Sequence, residues 1–527
     1  MPLPDNANAA WPPPAWAGSH KTIAEAAAWY EGDTTKLENL YGGNQTNAAS
    51  SGLLSRFWSR RQADRGTQRQ RLHLPAAADI AAVSADLLFG DAPAFLIPDA
   101  HNEQTEANST EAQACEDRLN ELVDCAGIAA TLLEAAEYAS GLGGVYLRPV
   151  WNTDLADHPL LTYVNHDCAI PEFWHRQLVA VTFWSEVLRN EGQVWRHLER
   201  YEMQGTQSVI LHGLYKGTPT TLGVKVDLAE SSQTEHIAVE DDGETVLMPE
   251  GITTIGVRYV PNALDRRNRK DPVGRSDTAG SEPEMDALDE TYSALMRDVR
   301  LAKARLTVPD EFLDKAGRGK GASFDMDQEV FSPLEVDPKQ SGTTGIALFQ
   351  PEIRSEPLLT IAADLFEQVA RTAGYSPQSF GMQGDGAKAT ATEVDAREGT
   401  SDRTTNRKKR YWQKPVDDVL EMMLVIDAEV FGSGVTPLRP RMEFAEADAD
   451  MRDIATSLNL LNMAGAVSTE RKVQLLNPKW DDGQVQDEVA QIKADTGMSP
   501  DPFGAGPGAP PVPPAVPPPG PDGGPPP

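Results

Sequence analysis

Residues 281–305 read SEPEMDALDETYSALMRDVRLAKAR, and this stretch decides the fold. Met285, Leu288, Tyr292, Leu295, Val299 and Ala302 recur at alternating steps of three and four, which places one apolar stripe along a helix. About 20 residues at 1.5 Å rise make a rod of roughly 30 Å with an opposite face polar enough to be wetted. Ser281 and Glu284 have the capping-box spacing, and Pro283 falls in the first turn, where a missing N–H is tolerated. Glu282, Glu284, Asp286, Asp289 and Glu290 crowd the start of the helix, and Arg297, Arg300, Lys303 and Arg305 its end. That order complements the helix dipole.

Downstream, residues 306–355 read as strands and loops (RLTVPDEFL, QEVFSPLEV, GIALFQPEIR). A second helix is predicted from Ser355 or Glu356 to Ala373, with Leu358, Ile361, Leu365 and Val369 on its apolar face and Gly374 and Pro377 as stops. Residues 375–390, YSPQSFGMQGDGAKAT, are rich in glycine and small polar residues and read as a flexible segment. Thr390 and Glu393 repeat the capping-box spacing, and a long polar helix follows toward Phe431, expected to kink at Gly399 and Pro415. Residues 446–497 read as helical; 499–527 are largely proline and glycine, expected to be disordered or PPII-like.

Upstream, the first twenty residues carry proline and tryptophan and read as extended. Helical patterns cover 22–41 and 53–62, then 75–90 with Ile80, Val83, Leu87 and Leu88 on one face, then one long amphipathic helix over 110–140. Residues 143–265 change character. Runs such as GVYLRPVW, LVAVTFWSEV and SVILHGLY, punctuated by turn residues, predict an antiparallel β region, bounded by a polar loop at 264–281. The fold class read from this pattern is α+β, mainly helical with antiparallel β segments.

Composition narrows the function. No run approaches 18 apolar residues, and the N-terminus lacks the basic and apolar regions of a signal peptide, so neither a membrane span nor a secreted product is expected. Three cysteines without metal-ligand spacing fit a reducing compartment. GRGKGAS at 317–323 departs from the phosphate loop because Gly321 follows Lys320. The nine histidines form no HExxH pair, and the carboxylate groups Asp325/Asp327 and Asp448/Asp450/Asp453 lack the glycine of a calcium loop. No catalytic residue, metal or cofactor is therefore assigned. The net charge of -32 argues against tight nucleic-acid binding but not against a passage along which DNA must slide. Within this acidic chain RTTNRKKR stands out: Arg403, Arg407, Lys408, Lys409 and Arg410 read either as a phosphate-contacting patch or as intersubunit ion-pair partners.

The order of these parts resembles the portal proteins of tailed bacteriophages, in particular siphophage-type portals of phages infecting actinobacteria. The stretches LPAAADIAAVSADLLFGDAP, AAEYASGLGGVYLRPVWN, LVAVTFWSEV, MDALDETYSALMRDVRLAKARLTVP, RTAGYSPQSFG and TATEVDARE carry the likeness, spread over most of 20–495. The resemblance implies an N-terminal arm (1–20), a wing (21–281), two stem helices (282–304 and 356–374) around a clip (305–355), a tunnel loop (375–390), a wing helix and crown (391–498) and a loose tail (499–527). It implies a non-enzymatic, dodecameric ring at one capsid vertex, through which double-stranded DNA enters and leaves. Terminase, head-completion or adaptor proteins, and capsid and scaffold proteins would be its partners, with assembly in the host cytoplasm. In that frame Gln378, Ser379, Gln383 and Lys388 would meet DNA in the channel, and Met285, Leu288, Tyr292, Leu295 and Val299 would pack the stem. The competing readings are another phage capsid protein, such as a shell subunit, and an intracellular enzyme without a recognisable motif.

Overall fold

The computed structural model describes residues 3–4, 6, 9–37, 72–101, 106–266, 268, 272–302, 305–307, 347–349, 353–382, 391–445, 458, 467–476 and 482–495. The chain divides into two compact units, 1–445 and 446–527.

In the first unit the helices are α1 (Ala17–Glu31), α2 (Ala76–Phe89), α3 (Glu106–Cys125), α4 (Ile128–Leu142), α5 (Glu282–Leu301), α6 (Ser355–Ala373) and α7 (Ala391–Glu429). Where one helix is expected over 110–140, there are two. Gly127 takes φ 59°, a left-handed conformation that ends α3 and starts α4, so Leu119 and Leu132 enter one core from separate rods. In α7 the helical run is not interrupted at Gly399 or Pro415. Ser281 precedes α5 but does not close the expected capping box: its hydroxyl donates back to the Thr278 carbonyl at 2.7 Å. The box at Thr390, the helical pattern at 53–62 and the Pro-rich tail lie outside the described residues.

The β region is antiparallel throughout. Strands β1 (Ala94–Leu96), β2 (Gly144–Val150), β3 (Leu160–Asn165), β4 (Ala169–Trp174), β5 (Gln177–Asn190), β6 (Gln193–Gln204), β7 (Gln207–Thr218), β8 (Thr221–Val226), β9 (Thr245–Leu247) and β10 (Arg258–Pro261) come first in order. The main sheet runs β4-β5-β6-β7-β8, with β9 added to β7, and a smaller one runs β10-β2-β3. On β6 buried positions alternate with more accessible ones, whereas Ser208–Tyr215 of β7 are buried without a break, because Ile210 enters the main core and Val209, Leu211 and Tyr215 a second cluster. The segment expected to be extended over 1–20 gives way to helix before its end. Leu3 and Trp11 are buried against Leu198, Leu211 and Tyr215 of this sheet, Ala10 bridges Thr221, and α1 already begins at Ala17.

The main core joins α3, α4 and the second half of α7 to β2 and the inner face of the main sheet, with Trp412, Leu420 and Met423 packed on Leu132, Tyr146 and Val260. A smaller core sets Trp29 of α1 and Ile80 of α2 against Met285 of α5 and Val369 of α6. The second unit contains α8 (Thr469–Leu476) and α9 (Asp482–Asp495), joined by Val473, Val485 and Val489.

Candidate functional site

Helices α5 and α6 pack side by side, and the burial of their stripe is graded. Met285 and Leu288 are buried, Tyr292 and Leu295 are half-buried, and Val299 is 43% exposed. The same gradient runs backwards along α6, from buried Val369 and Ala373 to Leu359 and Ile361 on the surface. Arg354 Nε donates to Asp298 at 2.9 Å and ties the two exposed ends together. Short strands at Arg305–Thr307 and Ala347–Phe349 pair just beyond them. At the buried end Asp289 is held by His73 Nδ1 at 2.7 Å and by the Leu74 N–H at 2.9 Å. An apolar groove of about 600 Å³ lies between α2, α5, α6 and Phe380.

The turn that leaves α6 is fixed to one face of α7. Gly374 takes φ 96°, and a Cβ there would come within 2.8 Å of Thr404 Oγ1, so the position demands glycine. Thr404 donates to the Gly374 carbonyl at 2.7 Å. Ser401 Oγ accepts from the Ser376 N–H and pairs with Ser379 Oγ, each at 2.9 Å. Gln378 and Ser379 thus sit half-buried in a short 3-10 turn, Pro377–Phe380, at the foot of the segment expected to face the channel. Gln383 and Lys388 lie outside the described residues.

One turn further along α7, Lys408 is 1% exposed. Its Nζ contacts Asp277 Oδ2 and donates to Ser84 Oγ at 2.7 Å, with the Tyr375 ring centroid 5.5 Å away. Asp277 also accepts from Ser140 at 2.6 Å, Asn262 at 2.9 Å and Tyr375 at 3.3 Å. Burial raises the affinity of Asp277 for a proton. Lys408 and the hydrogen bonds outweigh that and hold the carboxyl below its ordinary value. Burial also draws the Lys408 ammonium down, against the pull of Asp277. The contacts, ammonium on carboxylate and hydroxyl, are those of a charged pair.

Lys408 must therefore be taken out of the basic surface run. Arg403, Arg407 and Arg410 are exposed, and Lys409 is half-buried with its Nζ 5.1 Å from the Phe444 ring centroid. Among the described residues no three His, Cys, Asp or Glu side chains converge on a possible metal position. Among those residues no helix is long and apolar enough to cross a membrane.

The family model described as "Phage portal protein, SPP1 Gp6-like" matches residues 15–499. The chain belongs to the phage portal protein family. DNA packaging is the standard role of that family, and this chain is a portal subunit of the virion. No curated protein matches it. The portal chain is also similar to two solved structures, each at a TM-score of 0.37. "Neck of empty GTA particle computed with C6 symmetry" is 14% identical over 87% of this chain and 98% of that one. "Neck of native GTA particle computed with C12 symmetry" is 12% identical over 76% and 90%.

Sequence reasoning missed the Lys408–Asp277 hub of this portal subunit. A signal existed. Thr404, Lys408, Trp412, Val416, Val419 and Met423 step by four and three along α7, so the lysine stands on the apolar stripe rather than among the solvated charges.

Proposed function

We propose that the chain is the repeating unit of a closed, dodecameric ring whose channel passes double-stranded DNA during packaging and ejection. The observation that carries this is the exposed end of the α5–α6 pair. Met296, Val299, Ile353, Leu359 and Ile361 are 40–50% exposed there, on or just ahead of two helices already packed together. A cluster of this kind asks for a further surface to cover it, and a neighbouring α5–α6 pair supplies one of matching length and character.

In this reading α5 and α6 are the stem, residues 305–355 the clip, 21–281 the wing, 391–498 the wing helix and crown, and 375–390 the tunnel loop. Gln378, Ser379, Gln383 and Lys388 touch phosphates weakly, because a conduit must not hold DNA at any one place. Arg403, Arg407 and Arg410 offer a second, exposed set of cations for DNA or a neighbouring subunit. Terminase, head-completion or adaptor proteins, and capsid and scaffold proteins dock on the ring, and a separate ATPase supplies the energy of translocation.

Negative-stain imaging of the purified protein tests the ring directly. Closed particles with a central hole are expected; a stable monomer at high concentration refutes the reading. Shortening residues 381–386 is expected to leave rings intact and impair DNA filling, and normal filling would refute the tunnel-loop assignment.

A further inference from the structure

The two most exposed large apolar side chains among the described residues are Leu155, at 74%, and Trp174, at 69%. They lie on different elements and in opposite electrostatic settings. Leu155 tips the loop between β2 and β3. Asn152 organises that loop: its side chain accepts from the Asp154 N–H at 2.9 Å, and its carbonyl accepts from the Leu155 and Ala156 N–H groups at 3.0 Å. Asp154 and Asp157 flank the leucine and are exposed. The tip is thus a preorganised apolar knob between two carboxylates.

Trp174 stands at the tip of the β4–β5 hairpin and stacks on His175, with centroids 5.4 Å apart. His175 and Arg176 hold φ 49° and 64°, the left-handed pair a two-residue hairpin needs, although neither is glycine. Such strained backbone concentrates where a surface is used. Trp174 walls a cleft of about 840 Å³ that runs to the middle of α7. At its far end Arg258, Lys414 and Arg439 all converge on the single carboxylate of Asp418. Glu421, 3.4 Å from Arg439, offsets part of that excess, and Glu172 and Glu202, which also line the cleft, share Arg200, so the lining keeps a small surplus of cations. Arg176 is exposed on the rim and makes no ion pair among the described residues. In a chain of net charge -32 this is a cationic, apolar recess.

We infer that the Asp154–Asp157 loop of one subunit seats Leu155 in the Trp174 cleft of the next. The inference rests on the ring proposed above. A ring is closed by heterologous contacts, so each subunit must carry two different, complementary patches. The knob and the recess match in polarity and in charge, and an exposed tryptophan with arginine beside it is the composition of an energetic interface centre.

The test is a cysteine pair, Leu155→Cys with Trp174→Cys, in full-length protein carrying Cys125→Ser to remove the exposed native thiol. Both positions are on the surface, so the chain folds. Mild oxidation is expected to give a ladder of covalent oligomers on a non-reducing denaturing gel, with neither single variant giving one. Rings visible by negative stain that run only as monomers overturn the seating while leaving the ring intact. A shifted monomer band, the mark of a link within one chain, also overturns it. Monomers without rings, in the protein that keeps Leu155 and Trp174 as well as in the variants, overturn both readings. A charge exchange gives an independent readout. Asp154→Arg with Asp157→Arg is expected to lower ring yield at least tenfold, and adding Arg176→Asp with Lys414→Glu to restore most of it. Unchanged yield in the first variant would count against the contact.

Discussion

Lys408 Nζ rests on Asp277 Oδ2 in a site closed to solvent, and the pair links α7 to the loop ahead of α5. Ser140, Asn262 and Tyr375 also donate to the carboxylate, and Ser84 accepts from Lys408 and Tyr375, so four further segments meet at one ion pair. Lys408→Met leaves that carboxylate buried without its counter-charge. The expected loss is about 3–5 kcal/mol of stability, read as a lower denaturant midpoint. Lys408→Met combined with Asp277→Asn is expected to recover part of it, because the uncompensated charge is gone.

Acid should weaken the fold through His166. It is fully buried among the rings of Trp16, Tyr146 and Tyr259. Burial pulls its pKa down to about 4, and the Leu142 backbone opposes this only slightly. The unfolded chain, with its imidazole near the ordinary value, binds the proton first. Stability is therefore complete above about pH 6.5 and falls by up to about 3 kcal/mol as pH drops toward 4. Denaturation midpoints between pH 7 and 4.5 check this, and His166→Leu is expected to make the fall shallower, with His197, which burial also pulls down to about 4, keeping its own share.

The graded stripe of α5 separates folding from assembly. Leu288→Asp places a charge in the core shared with Ala76 and Ala362 and is expected to unfold the subunit. Val299→Asp changes a surface position and is expected to keep the monomer's circular dichroism while abolishing large assemblies in light scattering. Leu295→Asp should fall between, with assembly lost before stability. If Val299→Asp assembles normally, the exposed end of the pair is not a subunit contact.

Replacing Arg403, Arg407 and Arg410 by glutamine removes three exposed cations without touching Lys408. If they contact phosphates, DNA retention falls and its salt dependence becomes shallower by roughly one unit per lost contact. An unchanged salt slope with weakened rings would assign them to subunit contacts instead.

Much of this was legible in sequence because periodicity reports burial. The spacing of Met285, Leu288 and Tyr292 gives α5 its face, and Gly374 marks the end of α6. The illegible parts depend on partners distant in the chain. Ser281 has a capping sequence, but Thr278 competes for its hydroxyl. Gly127 lies inside an apparently continuous amphipathic pattern, and only its left-handed backbone divides α3 from α4. Lys408 sits in a run of basic residues; the stripe from Thr404 to Met423 places it among apolar side chains, but does not name Asp277, 131 residues away, as its partner.

Helix α7 spans 39 residues, roughly 58 Å of continuous rod at 1.5 Å per residue. Its first half holds the exit from α6 through Ser401 and Thr404, and its second half is embedded in the main core. A rod clamped in this way is a lever. A small push at the Ser376–Ser379 turn need not be absorbed locally and can arrive as a tilt at Glu429, where the side chain reaches the backbone of Glu250 and Gly251.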